Sequence, residues 1–111
     1  MKQLTEAIQA IAKENPDGFT VDLTTLKKVT RGISVAHLET QNSFGDEGLK
    51  RVIEHALKNE KKVGGWLDDK NEDFYYDSVR IFDDLEEALQ FGRENKQLYV
   101  FDLVKRQLIK L

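Results

Sequence analysis

Two strand-like segments near the start of the chain lie too close together for a crossover connection between them. Residues 19–23 alternate strictly between apolar and polar side chains, which is typical of a strand with one buried face. A second strand is expected over residues 32–40, and residues 24–28 between them are polar. Because parallel strands need a connection of a dozen or more residues, we expect this pair to form an antiparallel hairpin.

The second half of the chain contains further strand-like segments. Residues 62–67 are predicted to be a strand, residues 68–72 supply turn residues, and residues 73–82 return as a longer strand rich in aromatic and β-branched side chains. Residues 98–101 are continuously apolar, which is typical of a central strand covered on both faces or of a strand at a tight interface. Residues 107–111 are a candidate for a short last strand.

Three segments carry apolar side chains at helical spacing. They are residues 4–14, residues 46–59 and a segment that begins at Asp83. Asp84 with Glu87 resembles a capping box, in which each side chain accepts a hydrogen bond from a free amide at the helix start. The expected buried stripes are Leu4, Ala7, Ile8, Ile11 and Ala12; Leu49, Val52, Ile53, Ala56 and Leu57; and Leu85, Ala88, Leu89 and Gly92.

The order of these elements is α-β-β-α-β-β-α-β, which predicts an α+β fold. We expect a mainly antiparallel sheet of about five strands with three helices packed on one face. No linker-like, low-complexity or repeated segment interrupts the sequence, so residues 1–111 are predicted to form a single domain.

Composition excludes several classes of function. The chain has 111 residues and no cysteine, which excludes disulfide scaffolds, zinc fingers of the cysteine type and thiol catalysis. A formal charge of −3 argues against a binder of duplex DNA, which usually carries a basic excess. No apolar run approaches the roughly 20 residues that cross a bilayer, so we expect a cytoplasmic location and no membrane partner.

His37 and Glu39 are the first candidate pair for chemistry. If both lie on a strand, a spacing of two places them on one face, where a carboxylate could orient a histidine base or both could bind a metal. A metal site needs a further ligand, and the expected facing of the helix that carries His55 is wrong or marginal for this. A solvated strand face is the favoured interpretation, so the sequence predicts no metal site and no cofactor.

Residues 41–45 are the second candidate. Gln41, Asn42 and Ser43 precede a helix start, where free backbone amides attract anions. The same residues are typical of a helix cap, with Ser43 or Asp46 accepting hydrogen bonds from the first amides, and this interpretation is favoured.

The aromatic hairpin is the third candidate. Two adjacent glycines before Trp66 indicate close packing, with room for the indole or for Tyr75 or Tyr76 across the hairpin. Aromatic side chains on both faces of the longer strand mean that one set is covered and the other contacts solvent or a partner. A protein contact is favoured over the stacking of single-stranded nucleic acid, because no basic groove is visible.

The chain also resembles a small accessory domain of phage and mobile-element proteins, sometimes appended to large "polyvalent" proteins. The segments that carry the resemblance are Gly18-Phe19-Thr20-Val21-Asp22-Leu23, Thr40-Gln41-Asn42-Ser43-Phe44-Gly45, Gly64-Gly65-Trp66-Leu67-Asp68, Phe74-Tyr75-Tyr76-Asp77-Ser78, Phe82 with Leu85-Glu86-Glu87-Ala88, Phe91-Gly92-Arg93-Glu94-Asn95-Lys96-Gln97 and Phe101-Asp102-Leu103. The resemblance implies a bacterial, phage or conjugative-element setting. It transfers no catalytic residue, since the arginine, Ser-Thr-Ser and glutamate pattern of ADP-ribosyltransferases cannot be placed here.

These observations predict a non-enzymatic interaction module with a protein partner. Its expected contact surface is the hairpin around Trp66, Tyr75 and Tyr76 together with residues 41–45. One alternative is a small enzyme or enzyme remnant, ADP-ribosyltransferase-like or hydrolytic, that uses His37 and Glu39 beside Asn42 and Ser43. The other alternative is a binder of single-stranded nucleic acid.

Overall fold

The computed structural model describes residues 2–70 and 72–111. This part of the chain forms three helices and seven strands, so the predicted α+β class is confirmed and the strand number exceeds the expected five. In chain order the elements are α1 (Lys2–Glu14), β1 (Phe19–Asp22), β2 (Ile33–Ala36), a 3-10 turn (Leu38–Thr40), β3 (Ser43–Phe44), α2 (Gly45–Leu57), β4 (Lys62–Leu67), β5 (Phe74–Phe82), α3 (Leu85–Glu94), β6 (Tyr99–Asp102) and β7 (Gln107–Lys110).

The sheet is antiparallel throughout its described strands, in the order β1-β4-β5-β2-β6-β7. Strand β5 lies at the centre of these pairings, because a strand of nine residues is long enough to pair with three neighbours. It pairs with β4 over its first half, with β2 over its second half, and with the two-residue β3 at Tyr75 and Tyr76. Strands β3 and β7 are the two that the expected order lacked, and β7 confirms the candidate last strand within residues 107–111.

The expected hairpin between the first two strands is wrong. Strand β1 pairs with β4, whereas β2 lies between β5 and β6. The chain does turn back after β1, but the returning segment forms a single bridge, between Val21 and Lys28. In its actual place β2 buries Ile33 and Val35 beside Phe82 and Val100. The short connection between β1 and β2 argues against a crossover, but it does not determine which strand each of them pairs with.

Two further strand predictions change in detail. The second strand ends at Ala36, since Leu38–Thr40 forms a 3-10 turn. Strand β6 is not covered on both faces, because Val100 is buried while Tyr99 is 45% exposed. It lies next to the terminal strand β7, where only one face of the sheet packs on a helix.

All three helices pack on the same face of the sheet. Helices α1 and α2 cover β1, β4 and the start of β5 in a cluster that includes Ile8, Ile53 and Tyr76. Helix α3 covers β2, β6 and the end of β5 in a second cluster that includes Ala88 and Phe82. Tyr76 and Phe82 are six residues apart on one strand, so their side chains point to the same face. We call the other side of the sheet the helix-free face.

Helix α3 begins at the predicted cap, and the structure shows the Asp84 half of the expected capping box. The Asp84 carboxylate accepts a hydrogen bond from the Glu87 amide at 3.1 Å. Helix α2 begins differently: its N-cap is Phe44, without a side-chain cap, so the expected cap by Ser43 or Asp46 is wrong. Asp46 instead accepts a hydrogen bond from the Gln9 amide group of α1 at 2.7 Å. No helix in the described part of the chain is long and apolar enough to span a membrane.

The glycine pair in β4 gives a matched test of this packing. A Cβ atom at Gly65 would lie 2.7 Å from the Phe19 ring and 3.0 Å from the Phe74 ring, so these two rings pack closely against the glycine. We expect Gly65→Ala to lower the free energy of unfolding by about 1–3 kcal/mol, because two core rings must shift.

Gly64 provides the control for that substitution. A Cβ atom there would meet its nearest neighbour at an ordinary 3.5 Å. Gly64→Ala should therefore leave stability unchanged or raise it by roughly 0.5 kcal/mol, since alanine loses less backbone entropy on folding. Urea unfolding of both variants measures the difference, and equal effects would contradict the packing described.

Candidate functional sites

The helix-free face carries a row of three aromatic side chains from three adjacent strands. Phe44 of β3 lies opposite Tyr75 of β5, which lies opposite Trp66 of β4. The Phe44 and Tyr75 ring centroids are 5.4 Å apart, and the Tyr75 and Trp66 rings stack at 5.7 Å with 17° between their planes. We call these three residues the aromatic row. Phe44 is 49% exposed and Trp66 is 43% exposed, so the row presents ring surface to solvent.

One carboxylate shares this face with the aromatic row, and a second lies in the adjoining turn. Asp77 is two residues beyond Tyr75 on β5, so its side chain points to the same face. Asp68 follows the last residue of β4, and its carboxylate accepts a hydrogen bond from the Lys70 amide at 2.8 Å within the turn. Burial raises the pKa of the Asp77 carboxyl group to about 7. Within residues 2–70 and 72–111, neither carboxylate forms an ion pair with a lysine or arginine. The region around the row therefore contains two carboxyl groups, one of them the half-buried Asp77, without a counter-charge from the described part of the chain.

Tyr76 does not belong to this surface. Its side chain points to the helix-covered face, is 5% exposed and packs against Phe74 at 5.3 Å. Burial accordingly raises the pKa of its phenol. The sequence identified Trp66 and Tyr75 as surface candidates and placed Tyr76 beside them, whereas the structure assigns Tyr76 to the core.

Residues 41–45 mainly hold the start of α2 in place. The Ser43 hydroxyl donates to the Thr40 carbonyl oxygen at 2.7 Å and accepts from the Arg51 Nε at 3.1 Å. Arg51 also donates to the Gln41 carbonyl oxygen at 3.2 Å, and the Ser43 residue is 2% exposed. The Ser43 hydroxyl is thus occupied by internal hydrogen bonds and is not available to an anion.

An open depression of about 500 Å³ lies beside this segment. Its lining carries both signs of charge, with Lys50 and Arg51 opposed by Glu47 and Glu54. Asn42 borders it with a positive φ of 63°, a conformation that asparagine tolerates better than most residues. The mixed charge gives this depression no preference for an anion.

A second arrangement lies near the junction of the two core clusters. His37 follows β2, Glu39 lies in the 3-10 turn, His55 lies in the last turn of α2, and Glu60 follows that helix. We call these four residues the His–Glu cluster. Oε2 of Glu39 is 3.9 Å from Nδ1 of His37 and 3.3 Å from Nε2 of His55. The two imidazole rings meet nearly edge to face at 4.7 Å.

The other nitrogen of each ring has its own partner. Nε2 of His37 lies 2.6 Å from Oε1 of Glu60, and Nδ1 of His55 lies 2.8 Å from the Ser78 hydroxyl oxygen. Ser78 is fully buried on β5, and its backbone amide donates to the Thr40 hydroxyl oxygen at 3.0 Å. Each ring is therefore positioned by a contact at one nitrogen, and its other nitrogen faces Glu39.

This geometry corrects two expectations about His37 and Glu39. They do not share a strand face, because the strand ends at Ala36, and they meet through the 3-10 turn instead. The expectation that His55 faces the wrong way is also wrong, since His55 joins them. Ser43, which the enzyme alternative placed beside this pair, makes its hydrogen bonds to Thr40 and Arg51.

Sequence reasoning missed Glu60 and undervalued His55. His55 is three residues after the buried Val52 and adjacent to the buried Ala56, so it borders the apolar stripe of α2. That position was a usable signal that its ring lies against the sheet. Glu60 meets His37 across 23 positions of sequence, and no local pattern announces such a contact.

No family model, curated protein or solved structure matches the chain. Two arrangements bear on its function: the aromatic row lies on the helix-free face, and the His–Glu cluster lies on the helix-covered side. Tyr75 belongs to the aromatic row, and Ser78 contacts His55 of the His–Glu cluster. The two side chains point to opposite faces of β5.

Proposed function

We propose that this protein is a non-enzymatic interaction module that binds a basic segment of a partner protein across the aromatic row. The observation that carries the proposal is the stacked row itself, with Phe44 and Trp66 each nearly half exposed. Tyrosine and tryptophan supply large, rigid contact areas and dominate the energy of many protein interfaces. An aromatic row left open to water on a sheet face is a feature that a partner surface would cover.

Charge around the row supports a cationic occupant. Asp77 lies beside Tyr75 on the same face and Asp68 lies in the turn after β4, and neither forms an ion pair with a lysine or arginine within the described part of the chain. An arginine side chain satisfies both features, because its guanidinium stacks on aromatic faces and donates paired hydrogen bonds to a carboxylate. A segment containing arginine thus fits this surface better than a purely apolar one.

The same carboxylates argue against single-stranded nucleic acid. Exposed rings can stack bases, but such binders combine the rings with a positively charged groove that follows the phosphates. Here Asp77 and Asp68 lie near the rings, and carboxyl groups offer phosphates no electrostatic attraction. The preference for a protein partner therefore rests on the charges that surround the rings, not on the rings alone.

The biological setting forms part of the proposal. The resemblance to accessory domains of phage and mobile-element proteins suggests a bacterial host, a cytoplasmic location and a partner encoded nearby. Phage or conjugation genes beside the coding sequence would support this setting, and a stable location among housekeeping genes in many genomes would contradict it.

The binding proposal can be tested with a short peptide of alternating arginine and glycine. Trp66 is the single tryptophan of the chain, so its fluorescence reports directly on the aromatic row. We expect saturable quenching or a spectral shift on titration with this peptide. A peptide of alternating glutamate and glycine and a thymidine oligonucleotide should produce no saturable change at the same concentrations.

A matched pair of variants locates the binding surface. Tyr75→Leu removes the central ring, and we expect it to weaken peptide binding by roughly tenfold or more, as loss of a buried aromatic contact usually does. Tyr99→Leu is the control, because Tyr99 is 45% exposed on β6, outside the row. Equal effects of the two variants in isothermal titration calorimetry, or preference for the oligonucleotide, would contradict the proposal.

A further inference from the structure

We infer that His37, Glu39 and His55 form a binding site for a divalent transition-metal ion of the Zn²⁺ type. This inference does not depend on the proposed interaction surface, which lies on the opposite side of the sheet. One potential ligand atom from each of the three residues lies within 4.8 Å of the other two. Three groups from a turn and a helix thus converge on one small volume.

The spacing is close to that of a metal site. Ligand atoms about 2.0–2.2 Å from a tetrahedral ion lie roughly 3.3–3.5 Å from one another. The His55 Nε2 to Glu39 Oε2 distance is 3.3 Å, and the His37 Nδ1 to Glu39 Oε2 distance is 3.9 Å. A small rotation of the His37 ring and of the Glu39 side chain would bring the three atoms around an ion. Glu39 has the freedom to adjust, since its side chain is 64% exposed.

The hydrogen bond at one nitrogen of each ring determines whether the other nitrogen, which faces Glu39, has a lone pair for a metal. If Nε2 of His37 donates its proton to Glu60, the lone pair lies on Nδ1, which faces Glu39. If Nδ1 of His55 donates to the Ser78 hydroxyl, the lone pair lies on Nε2, which also faces Glu39. Metal-binding histidines almost always donate their second N–H to a carboxylate or another acceptor in this way.

A simple ion pair between His37 and Glu60 would explain only part of this arrangement. Contact between His37 and Glu60 at 2.6 Å already satisfies one imidazole. It leaves a second histidine, held by a fully buried serine, whose Nε2 lies 3.3 Å from the same Glu39 oxygen and 3.4 Å from the Asn59 side-chain nitrogen. A shared ion accounts for all three orientations at once.

The ligand set also selects the class of ion. Two imidazoles and one carboxylate suit Zn²⁺, Co²⁺, Ni²⁺ or Fe²⁺, whereas Mg²⁺ and Ca²⁺ prefer oxygen ligands. Three protein ligands leave a tetrahedral position for water or another small ligand. His37 is closed off on one side by the Phe91 ring at 5.2 Å, so the open position lies toward the exposed Glu39.

The experiment uses the full chain, free of affinity-tag histidines and treated with a chelator that is then removed. Calorimetric titration with ZnSO₄ should show one ion per chain, and Zn²⁺ should raise the melting temperature while Mg²⁺ should not. Co²⁺ should give the visible absorption bands of a tetrahedral ion. Absence of saturable Zn²⁺ binding would overturn the inference.

Two carboxylate variants locate the ion. Glu39→Gln should weaken Zn²⁺ binding by roughly 100-fold, since it removes one of three ligands. Glu47→Gln is the matched control, because the Glu47 side chain is 91% exposed on α2 and forms an ion pair with Lys50; the Zn²⁺ affinity of this variant should stay within about twofold of the original. An equal loss of Zn²⁺ affinity in both variants would show that the ion binds to surface carboxylates, and it would overturn the inferred site.

Glu60 gives an independent readout as a positioning residue. Glu60→Gln keeps an acceptor beside His37 but removes the charge, and we expect Zn²⁺ affinity to fall by about 10–100-fold while the stoichiometry stays at one. The Co²⁺ bands should shift without disappearing. Unchanged affinity together with unchanged Co²⁺ bands in this variant would contradict the orienting role of Glu60.

Discussion

Replacing Ile53 with alanine is expected to lower the free energy of unfolding by about 3–4 kcal/mol. Ile53 lies on the buried side of α2, has no solvent exposure and belongs to the cluster that joins α1 and α2 to β1, β4 and β5. Its removal leaves a cavity at the point where two helices and three strands meet, and these elements cannot all move inward together. The expected loss is a large part of the roughly 5–15 kcal/mol by which a domain of this size is stable.

Leu57 on the same helix provides the control for that prediction. It belongs to the same expected apolar stripe but is 39% exposed at the last residue of α2. Leu57→Ala should therefore cost less than about 1 kcal/mol. Urea unfolding curves followed by circular dichroism measure both values. A small effect of Ile53→Ala would mean that the first cluster does not carry the stability of the domain.

Ile53 also shows which part of the fold can be predicted from sequence. Helical periodicity depends on residues three and four apart, so it identified the buried side of α2 from local information alone. The partner of a strand depends on residues far away in the chain. Residues 19–23 look like half of a hairpin, yet their main partner is β4, about forty residues later. The long β5 makes this arrangement possible by pairing along both of its edges.

The candidate sites follow the same division. Alternation along β5 separated Tyr75 from Tyr76 correctly, but it could not say which side the helices cover, because that depends on where α1 and α2 dock. Trp66 was identified because its neighbouring glycines are unusual in a strand. The His–Glu cluster was largely missed, because His37, His55 and Glu60 come together only through the packing of α2 against the sheet.

Asp77 provides the second large effect, which depends on pH. Burial raises the pKa of its carboxyl group in the folded protein to about 7, from an ordinary value of 3.8. Between these two pH values the folded state binds more protons than the unfolded state. The contribution of Asp77 to stability should therefore fall as the pH rises from about 4 to about 7 and change little above that. Asp77→Asn removes this dependence, because an amide cannot ionise.

At pH 8 the Asp77→Asn variant should be more stable than the original protein by roughly 1–3 kcal/mol. A shift of about three pKa units corresponds to a limit of ~4 kcal/mol, and residual solvent access at the carboxylate lowers the effect. Asp69→Asn, at an exposed turn residue, is the control and should change stability by less than about 0.5 kcal/mol. Unfolding at pH 5 and pH 8 measures the difference, and a gap between Asp77→Asn and the original protein that is equal at both pH values would contradict the assignment.

A carboxylate that destabilises the fold at neutral pH, two residues from Tyr75 on the same face, is more easily understood as part of a binding surface than as part of a core. A cation placed over the aromatic row would stabilise the charged form of Asp77 and lower its pKa.

Binding of the arginine–glycine peptide near pH 7 should therefore release a proton, and affinity should increase between pH 6 and pH 8. Calorimetry in buffers of different ionisation enthalpy measures the proton release. In the Asp77→Asn variant both the release and the pH dependence should disappear. Their persistence would mean that the peptide binds away from Asp77.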